Sequence, residues 1–321
     1  MATTSIEWTR GDDGAAGMTW NPVTGCNRIS DGCTNCYALT MAKRLKAMGA
    51  AKYQTDGDPR TSGPGFGVAV HPDELRKPLT WRKPRKVFVN SMSDLFHAKV
   101  PREFIIDVFA VMAATPRHTY QVLTKRPERM ARFFTNPELR ADVAWRASEL
   151  AGDGGDARGR VLYNSWPLPS VWLGTSIESN KHVGRADALR DTPAAVRFIS
   201  AEPLLGPLTD LDLTGIDWLI AGGESGRGAR PMHPDWVRDL RDRCTDTGTA
   251  FFFKQWGEWA PTGWLGIGEP HPDRERLIGD PVDEHGHRVV VERAGKKAAG
   301  RLLDGRTWDE YPTADAVEVS A

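Results

Sequence analysis

The sequence predicts an α/β fold, a complete or partial barrel in which strands alternate with helices. Two observations predict it: short apolar runs recur between stretches of helical spacing, and most of these runs end in polar residues. Strands that alternate with helices form a parallel sheet with helical crossovers. About eight such units along the chain are enough for a barrel of the TIM type. The chain has 321 residues and 40% hydrophobic residues, which is enough to build such a core.

Each element is predicted from its periodicity and its flanking residues. Apolar runs bounded by polar or turn residues predict strands just before Cys26 and at 67–70, 86–90, 118–124, 170–176, 196–200, 217–221 and 250–254. Helical spacing predicts helices at 37–49, 73–77, 101–114, 127–134, 182–190 and 234–247. Pro101 fits the first turn of its helix, and Pro78 ends the short helix before it.

The regular alternation has two exceptions that divide the chain. The stretch 136–163 interrupts it and contains the flexible glycine-rich run 151–159, which indicates an insertion or a lid. After Trp259 the pattern changes. We therefore predict a barrel over 1–259 and a small β-rich appendage over 260–321, with a strand at 288–292 and a frayed tail over 313–321.

Charge and hydropathy limit the classes of partner. The 42 basic and 42 acidic residues cancel, so any surface for nucleic acid must be local. Two basic clusters, Arg82–Lys86 and Lys296–Lys297, are either solvated faces or parts of a nucleic-acid groove. No apolar run approaches the ~18 residues of a membrane span. The first residues lack the pattern of a signal peptide. We expect a cytoplasmic protein with no membrane partner and with reduced thiols.

Three cysteines lie close together in the spacing C-x6-C-x2-C: Cys26, Cys33 and Cys36. Two sulfurs on one short turn are typical of metal and iron–sulfur sites. A structural zinc site needs four ligands, and no His or Cys occurs within thirty residues after Cys36. The fourth cysteine, Cys244, lies on a predicted amphipathic helix. There it is either a small buried hydrophobe or a distant fourth ligand. Three thiolates would hold three irons of a [4Fe–4S] cluster and leave the fourth iron open.

Polar residues follow most of the predicted strands. In a barrel of this type the carboxyl ends of the strands carry the chemistry. The residues at these ends that we expect to bind a cofactor are Lys125, Arg126, Ser176, Glu178, Ser200, Glu202 and Glu224. Any one of them alone is equally well a helix cap or a solvated charge. Their recurrence at successive strand ends favours one common site.

Several segments together resemble a known family. These segments are 19–26, 33–38, 90–96, 123–127, 200–204, 253–257 and 295–305. With the cysteine spacing, they resemble the phage-associated three-cysteine-motif protein family over about residues 5–312. More distantly, the cysteine loop resembles the radical S-adenosylmethionine superfamily, with spore photoproduct lyase the nearest branch. The first gap is six residues where that superfamily usually has three, and Asn35 stands where it usually has an aromatic.

The resemblance implies an iron–sulfur enzyme. Cys26, Cys33 and Cys36 match the ligands of a [4Fe–4S] cluster whose open iron binds S-adenosylmethionine, and reductive cleavage yields a 5′-deoxyadenosyl radical. We expect Lys125 or Arg126 to pair with the cofactor carboxylate. The hydroxyl and carboxylate groups at the later strand ends would bind its ribose or its amine. An electron donor of the flavodoxin or ferredoxin type is implied, and a partner protein encoded nearby is a further expectation.

Three functions remain open at this point. The first is a radical enzyme that acts on nucleic acid or a nucleotide, of a lyase, transferase or oxidoreductase class that the sequence does not resolve. The second is a radical enzyme that modifies a protein or a small molecule. The third is a non-catalytic iron–sulfur or zinc protein that binds nucleic acid.

Overall fold

A computed structural model gives the fold of residues 3–11, 14–152, 156–164, 166–271 and 273–312. In these ranges the strands are β1 (Thr3–Thr4), β2 (Gly17–Trp20), β3 (Val23–Thr24), β4 (Ala69–Val70), β5 (Lys86–Val89), β6 (Thr119–Thr124), β7 (Val171–Ser176), β8 (Val196–Ala201), β9 (Trp218–Gly222), β10 (Ala250–Gln255), β11 (Ala260–Gly266), β12 (Glu275–Ile278) and β13 (Arg288–Glu292).

The α-helices in the same ranges are α1 (Tyr37–Ala47), α2 (Pro72–Leu75), α3 (Arg102–Ala114), α4 (Pro127–Phe134), α5 (Leu139–Ala151), α6 (Asp156–Gly159), α7 (Arg185–Arg190), α8 (Pro234–Thr247) and α9 (Lys296–Ala299). Short 3-10 helices cover Glu7–Thr9, Asp31–Cys33, Ala51–Tyr53, Lys77–Thr80 and Asn180–His182, and a π-helix covers Arg160–Asn164.

The fold is mixed α/β and contains an eight-stranded, mostly parallel sheet in the order β1-β2-β5-β6-β7-β8-β9-β10. Strands β2, β5, β6 and β7 pair in parallel, β9 pairs in parallel with β10, and β1 is antiparallel to β2. Every residue of β5 and β9 is buried, as expected for parallel strands covered on both faces. The predicted alternation of strands and helices is confirmed at this level.

The chain divides into two compact units. The first contains the described residues up to Thr175 together with Arg185–Phe198, and the second contains Ser176–Gly184 and Ile199–Pro312. In the second unit β11, β13 and β12 form a separate antiparallel sheet. Strand β13 confirms the strand predicted at 288–292. The predicted tail at 313–321 lies outside the described residues.

One predicted strand is wrong as a barrel strand. Residues 67–70 were expected to join the main sheet, but only Ala69–Val70 is a strand, and it pairs antiparallel with β3 in a two-stranded sheet. The loop before it is closed by a hydrogen bond from the Gly67 N–H to the Thr55 carbonyl at 2.9 Å. The apolar run at 67–70 thus supports the cysteine loop that follows β3, and it is not a crossover strand.

The predicted interruption at 136–163 is mostly helical where the structure describes it. Helix α5 buries Leu139, Val143, Ala144, Ala147 and Leu150, which is one face at a spacing of three to four residues. That face packs on α3, nine of whose thirteen residues are buried. Residues 153–155 of the glycine-rich run lie outside the described part. The segment 139–151 is therefore a layer of the first unit's core.

Candidate functional site

The cysteine loop begins at a backbone position that only glycine fits. Gly25 has φ +84°, and a Cβ there would lie 2.0 Å from the carbonyl oxygen of Gly67. A positive φ combined with so close an approach excludes a side chain. The Gly25 N–H also donates to the Met92 carbonyl at 3.0 Å, just beyond β5. The loop therefore leaves β3 at a fixed point, and Cys26 comes directly after it.

The other two cysteines lie on the turn that starts α1. Residues Asp31–Cys33 form a 3-10 helix, and Cys36 is the cap residue of α1. The Cys33 N–H donates to the Ser30 carbonyl at 2.9 Å, and the Cys36 N–H donates to the Cys33 carbonyl at 3.3 Å. The prediction that the C-x2-C segment enters a helix is confirmed. The helix dipole places partial positive charge at this end.

Burial raises the pKa of two of the cysteine thiols. Cys26 and Cys36 pack against a small apolar cluster formed by Ala38, Ala42, Tyr53, Phe66 and Met92. Burial, with the nearby Asp94 carboxylate, raises the pKa of the Cys26 thiol to about 12, and burial also raises the pKa of Cys36. Cys33 also contributes to the raised pKa of both thiols, so the three sulfurs lie in one electrostatic neighbourhood.

Asp94 joins the ends of β5 and β6. Its carboxylate is buried and accepts from the Thr124 hydroxyl at 2.7 Å and from the N–H groups of Phe96 and Lys125 at 3.0 Å each. It also forms an ion pair with Arg126, at 2.7 Å between Oδ2 and Nη1. Four donors thus neutralise and hold one buried carboxylate.

Arg126 links the Asp94 carboxylate to the cysteine loop. Its Nη1 lies 3.5 Å from the Cys26 sulfur, and its Nη2 donates to the Asn27 carbonyl at 3.5 Å. A guanidinium donor favours the thiolate, and Arg126 opposes the rise in the Cys26 pKa. Lys125 acts in the same direction on Cys36 through its charge. Both predicted cations of this strand end therefore lie near the predicted metal ligands.

His97 follows the same strand end and is neutral. Burial, then the nearby Arg126 guanidinium, lowers its pKa to about 4. Its Nδ1 accepts the Lys99 N–H at 3.1 Å, which fixes that nitrogen as an acceptor. This arrangement makes His97 a packed, hydrogen-bonded side chain. Within the described ranges, no group of three or more His, Cys, Asp or Glu side chains is arranged to hold a metal ion.

The second unit has its own polar group at the strand ends. Lys254 Nζ lies 2.8 Å from Glu202 Oε1, and the Ser200 hydroxyl donates to Glu202 Oε2 at 3.2 Å. A Cβ on Gly222 would lie 3.1 Å from Glu202 Oε1, so this glycine leaves room for the carboxylate. Ser176 and Glu178 are buried in the same unit, and Ile177 donates its N–H to the Ser200 carbonyl. Four of the predicted side chains thus come from neighbouring chain segments.

Arg230 holds Glu224 through several hydrogen bonds. Arg230 donates through its backbone N–H, Nε and Nη2 to the two carboxylate oxygens, at 2.6–2.8 Å. The preceding Gly223 is required by packing, because a Cβ there would lie 1.8 Å from the Trp256 carbonyl oxygen. Gly223 thus lets this backbone approach closely, and the Glu224–Arg230 pair closes the loop.

The chain was compared with known proteins. A family model described as a protein of unknown function, DUF5131, matches residues 3–312. The chain belongs to this family. No curated protein and no solved structure matches it. No helix in the described part of this family member is both long and apolar enough to cross a membrane.

The remaining cysteine has an apolar setting. Cys244 lies on α8 in the second unit and is fully buried, and burial raises the pKa of its thiol to about 12. This is the environment expected of a small hydrophobic side chain.

Sequence reasoning missed the roles of three residues. Asp94 was part of a polar strand end without an assigned role, and Lys254 and Arg230 were not among the predicted site residues. The signal for Asp94 was its position after β5, followed by the cations that begin after β6. Parallel neighbours bring such ends together. No pattern in the sequence pairs Arg230 with Glu224, since five residues of irregular loop separate them.

Proposed function

We propose that the chain is an iron–sulfur enzyme of the radical S-adenosylmethionine type, built on a partial barrel. The contact of Arg126 with both Asp94 and Cys26 carries the proposal. It attaches the cysteine loop to the carboxyl ends of β5 and β6, where α/β barrels place their chemistry. The resemblance of the cysteine loop to that superfamily supports the same function.

The donor set fits a cluster with one open iron. All three cysteines are half-buried residues of a single loop. Thiolates are the usual ligands of iron–sulfur clusters. Cys26, Cys33 and Cys36 would hold the cluster, with Arg126 beside the first of them. The cluster, when bound with S-adenosylmethionine and reduced, would supply a 5′-deoxyadenosyl radical.

The chain's own residues would bind and orient. Lys125 or Arg126 would pair with the cofactor carboxylate, and Arg126 also pairs with Asp94. Ser176, Glu178, Ser200, Glu202 and Glu224 are retained as binding residues for the ribose or amine of the cofactor. Of these, Glu202 is held by Lys254 and Ser200, and Glu224 is held by Arg230, so both carboxylates are fixed in place within the second unit.

The proposed substrate is nucleic acid or a nucleotide, and the proposed setting is the cytoplasm, where thiols stay reduced. An electron donor of the flavodoxin or ferredoxin type would supply the electron. A partner protein encoded nearby belongs to the same hypothesis.

Anaerobic reconstitution with iron and sulfide tests the cluster. We expect a brown protein with absorbance near ~400 nm, lost in Cys33→Ala and retained in the matched control Cys244→Ala. Production of 5′-deoxyadenosine after reduction with dithionite tests the reaction. Lys125→Ala should weaken binding of S-adenosylmethionine in calorimetry.

Other outcomes would select another function. Tight zinc binding without iron uptake would replace the proposal with a non-catalytic zinc protein. Cluster formation without 5′-deoxyadenosine would leave an iron–sulfur binding protein. A radical product formed with a protein or small molecule in place of nucleic acid would change the substrate class alone.

A further inference from the structure

A row of cations lies at the amino-terminal ends of the first unit's strands. Residues 76–86 contain six Arg or Lys, and residues 75–93 contain no Asp or Glu. Strand pairing matches Lys86 with Thr119 and Tyr120 with Val171, so the starts of β5, β6 and β7 lie side by side. We call Arg82, Lys83, Arg85, Lys86 and Arg117 the basic rim. It lies at the opposite strand ends from the cysteine loop.

Three cations of the basic rim are available to a ligand. Arg82 and Lys83 are exposed and Arg85 is half-buried. None of the three forms an ion pair with a carboxylate in the described part of the chain. Some other surface arginines do form such pairs, as Arg238 does with Asp304 at 2.8 Å. Unpaired adjacent cations repel each other, so a polyanion would relieve this repulsion.

The other two cations hold the basic rim in shape. Arg117 donates to the carbonyls of Pro78, Leu79 and Trp81, at 2.8–3.4 Å, which fixes the segment that leads to Arg82. Lys86 lies with its Nζ 5.9 Å from the ring centroid of Trp172. The surface is therefore ordered before any ligand arrives, and this lowers the entropy cost of binding.

Two indole rings accompany the cations. Trp81 precedes Arg82 directly and is half-buried, with its ring 5.7 Å from His118 in an edge contact. Trp172, beside Lys86, is also half-buried. Cations that follow a phosphate backbone together with aromatic rings that stack on bases are the usual elements of single-strand binding. An acidic peptide would use the cations but not the rings.

We propose that the basic rim binds a single strand of nucleic acid through its phosphates. This inference deepens the proposed function and rests on it, since it names the surface that anchors the proposed substrate class. The three free cations set its size. With about three phosphates neutralised, the log–log salt slope for a single strand is about −2, which is a roughly 20-fold loss of affinity between 50 and 200 mM salt.

The test is fluorescence anisotropy with a labelled 20-nucleotide single strand, as DNA and as RNA, with duplex DNA and polyglutamate as competitors. We expect Arg82→Ala/Lys83→Ala/Arg85→Ala to lose at least tenfold in affinity and most of the salt slope. The matched control Arg288→Ala/Lys296→Ala/Lys297→Ala removes three exposed cations of the second unit and should bind as the wild type does. Five of the six side chains are exposed and Arg85 is half-buried, so we expect both variants to fold. Circular dichroism of each variant checks this.

Three results would overturn the inference. The first is an equal loss of affinity in the two triple variants, and the second is unchanged affinity in the rim variant. The third is competition by polyglutamate as strong as by the unlabelled single strand, which would indicate an acidic protein partner. The variant Cys26→Ser/Cys33→Ser/Cys36→Ser separates the two proposals, because binding at the rim needs no cluster. Iron uptake without nucleic-acid binding would contradict only the proposal that the basic rim binds nucleic acid. Nucleic-acid binding without iron uptake would contradict only the proposed iron–sulfur enzyme.

Discussion

At the residue scale, Asp94 is the most consequential side chain of the first unit's strand ends. We expect Asp94→Asn to lower the free energy of unfolding by about 3–5 kcal/mol, the usual cost of removing one partner of a buried ion pair. The amide would also turn a donor toward four existing donors. Urea unfolding followed by circular dichroism measures this. The control Asp304→Asn breaks half-exposed pairs with Arg238 and Arg241 and should cost at most about 1 kcal/mol. Similar losses in both variants would show that Asp94 is not a special anchor.

His118 makes stability depend on pH. Burial lowers its pKa to about 4, from an ordinary value of 6.5, and outweighs the carbonyls of Pro78 and Trp81, which favour the protonated ring. Below pH 6.5 the unfolded chain binds a proton that the folded chain refuses until the pH nears 4. The free energy of unfolding therefore falls as the pH is lowered from 7 to 5, by about 1–2 kcal/mol for this residue.

The variant His118→Phe keeps an aromatic ring between Trp81 and Tyr120 and should remove that share of the acid-induced loss. Denaturant titrations at pH 7 and pH 5 measure it. The exposed His285 provides the control, and His285→Phe should leave the difference between the two pH values unchanged. A wild-type difference retained in full by His118→Phe would contradict the assignment.

At the scale of elements, the start of the cysteine loop is the most constrained turn of the first unit. Gly25→Ala would place a methyl group 2.0 Å from the Gly67 carbonyl oxygen, so the loop must leave its position. We expect Cys26 in this variant to react with a maleimide at least tenfold faster, because the apolar packing that buries it is lost. Mass spectrometry of timed, quenched samples measures the rate.

Gly49→Ala is the matched control for that substitution. Gly49 also has a positive φ, +74°, but a Cβ there meets no atom within 4 Å. Its cost is the left-handed backbone alone, about 1–2 kcal/mol. If both variants labelled Cys26 at the same rate, the contact with Gly67 would not hold the loop.

Elements with strong local signals were predicted closely from the sequence. Helix α4 begins at Pro127 and ends at Phe134 as predicted, and α8 begins at Pro234 and ends at Thr247. Both begin with proline at the first turn, and α8 ends before Gly248, whose φ is +72°. The prediction at 67–70 was wrong because an apolar segment of four residues does not determine which strand it pairs with. That choice depends on tertiary contacts such as those of Gly67.

The candidate site was predictable to the same extent. Periodicity located the strand ends, so it indicated that Lys125 and Arg126 follow β6. It did not show that Arg126 would turn toward Cys26 through Asp94, because side-chain partners across 32 and 100 residues of sequence leave no periodic trace. The same holds for Lys254 and Glu202, which are brought together only by strands that form separately along the chain.

At the scale of the whole molecule, the basic rim and the cysteine loop set a minimum length for a shared ligand. Strand β6 has six residues and runs from the strand ends beside the basic rim to the strand ends beside the cysteine loop. At ~3.3 Å per residue it spans ~20 Å. A strand of nucleic acid with a spacing of 3.4 Å per nucleotide needs about six nucleotides to cover that distance. We expect a 12-nucleotide strand at saturation to slow maleimide labelling of Cys33, and a tetranucleotide to leave it unchanged.

The rim variant Arg82→Ala/Lys83→Ala/Arg85→Ala provides the control, since it should lose this protection at equal concentration of the 12-nucleotide strand. Equal protection by the tetranucleotide would mean that nucleic acid contacts the loop directly without the rim. An absence of protection by the longer strand would mean that the rim holds a ligand that never reaches the cysteines.

The four hydrogen bonds of Asp94 have a consequence for how the protein matures in the cell. None of these four donors is a cysteine, so the contact between the ends of β5 and β6 needs no iron in order to form. Small zinc domains, by contrast, fold only around their metal. Under the proposed function, iron and sulfide would therefore reach a chain whose strand ends are already joined, and only the cysteine loop would still have to bind the cluster.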